Sequence, residues 1–177
     1  MTHEIILAGF GGQGVMLMGQ ILTYAGMLEN KQVSWMPSYG PEMRGGTANC
    51  TVVISDSPVG SPLVTHPSIV VAMNRPSLDK FGPTVKPGGL LLYNSSLIDE
   101  PPTRTDITVV AVPANDLAAQ MGNDRVANMI VLGAMLAKQP VVSLDAVHQA
   151  LRKALPAHRH HLLPLNEQAL ARGAEVE

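Results

Sequence analysis

The residues best suited by type and spacing to do chemistry lie in two short glycine-rich segments. The first, Gly9-Phe10-Gly11-Gly12-Gln13-Gly14, has the spacing of a phosphate-cradling turn. Glycines let the backbone turn tightly and approach an anion, and the free amides and positive dipole end of a following helix favour negative charge there. The second, Ser38-Tyr39-Gly40-Pro41-Glu42-Met43-Arg44-Gly45-Gly46, sets a phenol, a carboxylate and a guanidinium among glycines and one proline. Arg44 offers a two-point fork to phosphate or carboxylate, Glu42 can orient it, and Gly45-Gly46 lets a ligand or another chain come close. The bland alternatives are glycines that only allow close helix-to-strand packing and a surface turn with an exposed ion pair.

A dinucleotide site would also need an acid about twenty residues beyond the first loop, at the end of the second strand, to hold the ribose hydroxyls. That strand ends in Trp35-Met36-Pro37. Glu29 has the right count but precedes the strand, at the wrong end of the sheet.

Other candidates are weaker. His158, His160 and His161 offer imidazoles, yet adjacent residues rarely converge on one metal and no carboxylate precedes Glu167. They read as a turn between two helices. Cys50 starts a strand and reads as a buried apolar residue rather than a nucleophile. Asn123 and Asp124 read as a helix cap, and Ser95-Ser96 could face a ligand.

The elements that position these residues follow from period and punctuation. Strands are expected at Glu4–Ala8, Lys31–Met36, Ala48–Ile54, Ser68–Met73, Leu90–Tyr93 and Ile107–Val112. Helices are expected at Val15–Leu28, from Pro76 to the Pro83 region, and at about Asn115–Met121, Asp124–Ala137 and Ser143–Leu155, with Ser143 as an N-cap. An eleven-residue loop, Pro37 to Thr47, is too short for a crossover helix, so strands two and three should be antiparallel or break the βαβ winding. The class is α/β: a Rossmann-like three-layer domain with a mostly parallel sheet, one or two antiparallel strands and a helical C-terminal third. The division is a main domain over 1–155 and a helical docking or capping tail over 156–177. Met16, Met18 and Met27 are expected to fill gaps between helix and sheet.

Composition bounds the function. The chain has 177 residues, with 12 Lys plus Arg and 14 Asp plus Glu, so 15% are charged and the net charge is −2. That is well below the usual share of about 25%, and it gives no reason to expect nucleic acid. One cysteine excludes a disulfide and a cysteine-ligated cluster within the chain. No run approaches a membrane span, and no secretory leader is evident at the start, so a cytoplasmic location is expected.

Together, Gly9 to Gly14 with Gln13, then Tyr39-Gly40-Pro41-Glu42 and Arg44-Gly45-Gly46 before a β-branched strand, resemble the gamma subunit of 2-oxoacid:ferredoxin oxidoreductases. The likeness runs from about Glu4 to Leu155 and extends to the equivalent domain of single-chain pyruvate:ferredoxin oxidoreductases and to indolepyruvate oxidoreductases. It implies a complex that converts a 2-oxoacid and coenzyme A to acyl-CoA and carbon dioxide, with electrons passing to ferredoxin. Thiamine diphosphate, magnesium and iron–sulfur clusters then belong to alpha, beta and, where present, delta partners. This chain, binding no cofactor alone and inactive alone, helps form the coenzyme A region.

The resemblance carries over onto Gly9, Gly11, Gly12, Gln13 and Gly14 and onto Tyr39, Gly40, Pro41, Glu42, Arg44, Gly45 and Gly46 as a joint ligand- and partner-facing edge. No catalytic residue is assigned. Within it, Arg44 would turn toward a diphosphate or substrate carboxylate and the Gly11 to Gly14 amides would form the second anion site. Two rivals stay open from the residues alone: a self-contained dinucleotide oxidoreductase, and a non-enzymatic small-ligand module. On the subunit reading, the isolated chain should pair with itself through apolar surface meant for a partner.

Overall fold

Alternation along the first strand explains the layering. Ile5 and Leu7 point to one side and Ile6 and Ala8 to the other, and all four are buried, so the strand is central and covered on both faces. The structure, a computed structural model, describes residues 1–39 and 47–177. In chain order it runs β1 (Thr2–Phe10), α1 (Val15–Leu28), β2 (Gln32–Tyr39), β3 (Thr47–Ser55), β4 (Ile69–Ala72), α2 (Arg75–Phe81), β5 (Leu90–Asn94), β6 (Thr108–Val112), α3 (Ala114–Gln120), α4 (Ala127–Lys138), α5 (Leu144–Ala154) and α6 (Leu163–Ala174).

The six strands lie in the order β2-β3-β1-β4-β5-β6. β3 is antiparallel to both of its neighbours, and every other pairing in the sheet is parallel. The expected antiparallel break therefore falls on one strand. The chain leaves β1 through α1 toward β2 and β3, then returns to β4 on the other side of β1. The crevice between the carboxyl ends of β1 and β4 is thus the switch point where open α/β sheets take ligands.

One face carries α1, α3, α4, α5 and α6 around a core that includes Met18, Leu22, Ile54, Leu92, Met129 and Leu170. The other face carries α2 over a smaller cluster with Ile6, Val70, Leu78, Leu91 and Tyr93. α6 crosses α4 where two glycines meet backbone: a Cβ at Gly133 would strike the Leu170 carbonyl, and one at Gly173 would strike the Ile130 carbonyl. Leu163, Ala169 and Leu170 of α6 belong to the main core.

Three details depart from the expectations. Pro37 does not end the second strand but sits inside β2 opposite Cys50, with β2 continuing to Tyr39 and β3 beginning at Thr47. β2 is an edge strand, where a proline lacking an N–H is tolerated because the missing donor can face away from the ladder. The connection expected over Pro37 to Thr47 is correspondingly shorter. Met18 fills the core and Met16 packs partly against it, whereas Met27 is 53% exposed, because it lies on the side of the last turn of α1 away from the sheet that buries Ala25 and Gly26.

Caps follow chemistry. Ala146 N donates to Ser143 Oγ at 3.1 Å, so the expected Ser143 cap forms, and Arg125 N donates to Asn123 Oδ1 at 2.9 Å, so Asn123 caps a turn ahead of α4 rather than α4 itself. Asn123 opens a single 3-10 turn, Asp124–Val126, that feeds α4. Asn74, not anticipated, caps α2 by accepting from Ser77 N at 3.0 Å.

Candidate functional site at the carboxyl edge of the sheet

The first glycine loop leaves β1 and enters α1, and its shape is held locally. Gln13 N donates to the Phe10 carbonyl at 3.1 Å, while Phe10 N donates back to Gln13 Oε1 at 2.6 Å. Gln13 Nε2 then donates to the Met73 carbonyl at 3.3 Å, which ties the loop to the end of β4 across the switch point. Gln13 is therefore the clamp of the loop.

Gly12 and Gly14 have φ of +92° and +78°, a region that costs a side-chain-bearing residue roughly 1–2 kcal/mol. Around Gly12 a Cβ would meet no described residue, but at Gly14 it would strike the Asn128 side chain. Asn128 reaches over from α4 and donates to the Gly14 carbonyl at 3.2 Å.

Gly14 precedes α1 with no side chain capping the helix, and the first turn carries no acidic residue. Among the described residues, the first amides of this 14-residue helix have no side-chain acceptor at its positive end. Gly11 and Gly12 are exposed above it. Chemically, this is a seat for a phosphate or carboxylate.

Register brings the second segment to the same edge. Phe10 lies opposite Thr47, and Tyr39 opposite Ala48, so the chain leaves β2 and enters β3 beside the end of β1. Gly40, Pro41, Glu42, Arg44, Gly45 and Gly46 lie outside the described residues.

The spacing-based reading missed a row of amides on the same edge. Asn94, fully buried at the end of β5, donates through Nδ2 to the Met73 carbonyl at 3.4 Å and to Asn115 Oδ1 at 2.7 Å. Its Oδ1 accepts from Ser96 N and Ala114 N, each at 3.2 Å. Met73 O therefore receives both Gln13 and Asn94, and the ends of β1, β4, β5 and β6 are joined by one polar chain. Beside it, Asn74 Nδ2 and Ser77 Oγ are buried with no hydrogen-bond partner among the described residues. The signal was present in sequence: the apolar runs of β4 and β5 both terminate in asparagine, Met73-Asn74 and Tyr93-Asn94.

The remaining candidates separate from this edge. Glu29 accepts from Ser143 N at 2.9 Å at the opposite, amino edge of the sheet, so it cannot meet a ribose at the glycine loop, and the described end of β2 carries no carboxylate. Cys50 is fully buried, and burial pushes its thiol up to about 11. His158 and His161 stand exposed in a 3-10 turn between α5 and α6, with His160 Nε2 2.9 Å from the Leu155 carbonyl. Among the described residues no three His, Cys, Asp or Glu side chains group as a metal site, and one cysteine cannot hold an iron–sulfur cluster. No helix among the described residues is long and apolar enough to cross a membrane.

Residues 4–176 match the family profile of pyruvate ferredoxin/flavodoxin oxidoreductase. The chain belongs to that family. It is 41% identical over 175 residues to the ketoisovalerate oxidoreductase subunit VorA of Methanothermobacter thermautotrophicus, a match covering 97% of this chain and 36% of that one. Against 2-oxoglutarate synthase subunit KorC of Methanocaldococcus jannaschii it is 36% identical over 180 residues, covering 99% and 94%. The chain thus spans little more than a third of VorA but nearly all of KorC.

Among solved structures, the gamma subunit of a keto/oxoacid ferredoxin oxidoreductase from Geobacter sulfurreducens superposes with a TM-score of 0.83 at 32% identity, over 98% of this chain and 96% of that one. A 2-oxoglutarate:ferredoxin oxidoreductase from Magnetococcus marinus, bound to 2-oxoglutarate, coenzyme A and succinyl-CoA, shares the fold with a TM-score of 0.89 over 97% of this chain and 30% of that one, at 22% identity.

Proposed function

We propose that the chain is the gamma component of a cytoplasmic, thiamine-dependent 2-oxoacid:ferredoxin oxidoreductase, which oxidatively decarboxylates a 2-oxoacid with coenzyme A and passes electrons to ferredoxin. Thiamine diphosphate, magnesium and the iron–sulfur clusters are carried by alpha, beta and, where present, delta partners. The donor set here, with its single cysteine, suits none of the clusters. This chain contributes the carboxyl edge of its sheet to the coenzyme A region: Gly9, Gly11, Gly12, Gln13 and Gly14 as one anion seat, with Tyr39, Gly40, Pro41, Glu42, Arg44, Gly45 and Gly46 as the second, Arg44 supplying the fork.

The observation that carries this reading is the start of α1 at the switch point, uncapped by any side chain among the described residues, clamped by Gln13 and beside the strand ends that flank the Arg44 segment. Coenzyme A presents a diphosphate and a ribose phosphate, groups that suit a helix start plus an arginine.

The test is a complex assembled with its partner subunits. Arg44→Ala and Gln13→Glu should each raise the KM for coenzyme A at least about tenfold, as loss of a charge-assisted contact implies, while leaving the KM for the 2-oxoacid nearly unchanged. An unaltered coenzyme A dependence in both variants removes the site. Micromolar binding of a nicotinamide dinucleotide by the isolated chain would overturn the subunit reading in favour of a self-contained oxidoreductase.

A further inference from the structure

At the amino edge of the sheet, opposite the glycine loop, the starts of β1, β4, β5 and β6 and the end of α4 enclose a concavity of about 340 Å³. Its lining includes Thr2, His3, Lys86, Thr108, Lys138 and Gln139 and contains no carboxylate among the described residues. Lys86 and Lys138 are exposed and form no ion pair among the described residues. Lys138 in the last turn of α4 offsets that helix's negative end, but Lys86, in the turn before β5, has no such role.

His3 is the decisive residue. The residue is largely buried and lines the concavity, and its ring nitrogens, which make no hydrogen bond among the described residues, keep access to the open space. An imidazole open to the concavity beside two ammonium groups without ion pairs is a set of donors that faces no protein acceptor among the described residues. Two carboxylates near the concavity are already engaged. Asp56 is held by the N-terminal amine at 2.8 Å, and Asp106 by Arg104 at 2.6 Å.

We propose that this concavity binds a small oxyanion, the phosphate or carboxylate group of a small molecule, held between Lys86, Lys138 and the ring N–H of His3. Its size is at the lower end of small-molecule sites. The Gly88 and Gly89 amides at its floor are spent on the Asp106 and Lys86 carbonyls, so recognition falls to side chains. The site lies at the opposite end of the strands from the proposed coenzyme A edge and stands or falls without it.

Burial, with Lys31, the N-terminal amine and Lys86 facing the ring and only Asp56 opposing them, holds His3 below its ordinary pKa. A bound anion reverses that balance, so His3 should gain basicity on binding and the anion should bind more tightly as pH falls.

The experiment follows the His3 ring resonances of the full chain by NMR during titration with inorganic phosphate and, separately, succinate. The expected result is saturation with a dissociation constant of about 1 mM or tighter, a rise in the His3 pKa at saturation, and weakening on the order of fivefold in Lys86→Gln and in Lys138→Gln. Saturation by phosphate alone or by succinate alone assigns the source of the oxyanion. A non-saturating drift shared by all six histidines, or an affinity unchanged in both lysine variants, overturns the proposal. Should a variant fail to fold, the wild-type His3 pKa decides: no rise with either anion rejects the site.

Discussion

At the scale of residues, Gly12 and Gly14 show why a spacing pattern is only half of an explanation. Both need positive φ, but among the described residues only Gly14 is also pressed by a neighbour, the Asn128 side chain. Gly12→Ala should therefore cost about 1–2 kcal/mol, the backbone strain alone, and Gly14→Ala distinctly more. Combining Gly14→Ala with Asn128→Ala should cost less than the sum of the single changes, because the crowding is shared; urea unfolding of the four proteins measures it. A strictly additive result would mean that Asn128 does not press on the loop. The glycine pattern was legible in sequence because strand, loop and helix are contiguous. Asn128 was not, since 114 residues separate it from Gly14 and only the fold brings them together. Asn94 was missed for a different reason: an asparagine ending a strand reads as turn chemistry, and only its four contacts show that it stitches the ends of β4 and β5 to α3.

At the scale of elements, α4 and α6 pack closely enough that their glycines touch the opposing backbone. A carbonyl cannot rotate away as a side chain can, so Gly173→Ala must push the two helices apart. It should cost at least about 3 kcal/mol, the upper end of ordinary overpacking, visible as a lower denaturation midpoint. Leu163→Met, at the periphery of the same contact, should cost less than about 1.5 kcal/mol. Equal effects from the two would show that the crossing is not set by the glycines. All the strands expected from sequence are present, because β-branched runs between turn residues are a strong signal. The boundary that moved was at Pro37. Proline ends a strand when it must donate to the ladder and does not when it sits on the edge, and edge position is a property of the finished sheet.

At the scale of the whole molecule, the two edges of the sheet differ in character. The carboxyl edge gathers amides and glycines, and the amino edge gathers cations around His3. His3 makes stability depend on pH in a definite direction. Its pKa is held below the ordinary value of about 6.5, so the unfolded chain takes up the proton first. The stabilising contribution is fully present above that ordinary value and is lost as pH falls through the lower folded-state value. Wild type should therefore lose more stability than His3→Gln between pH 7 and pH 5, measured by urea unfolding in a buffer free of oxyanions; parallel curves would show that another group governs the acid limb. Added phosphate should reduce the loss if the amino-edge site is real. The low share of charged residues was legible from composition, but neither edge's character was, because charge counts carry no position. Pro37 bears on one further matter, how the molecule stays separate from its own kind. An open sheet ending in a strand with a full row of donors and acceptors is a template on which a second copy can extend the sheet into fibrillar aggregate. With few charges to keep copies apart, this protein interrupts that row toward the end of β2, and the residue that looked like the end of a strand serves as a guard against polymerisation.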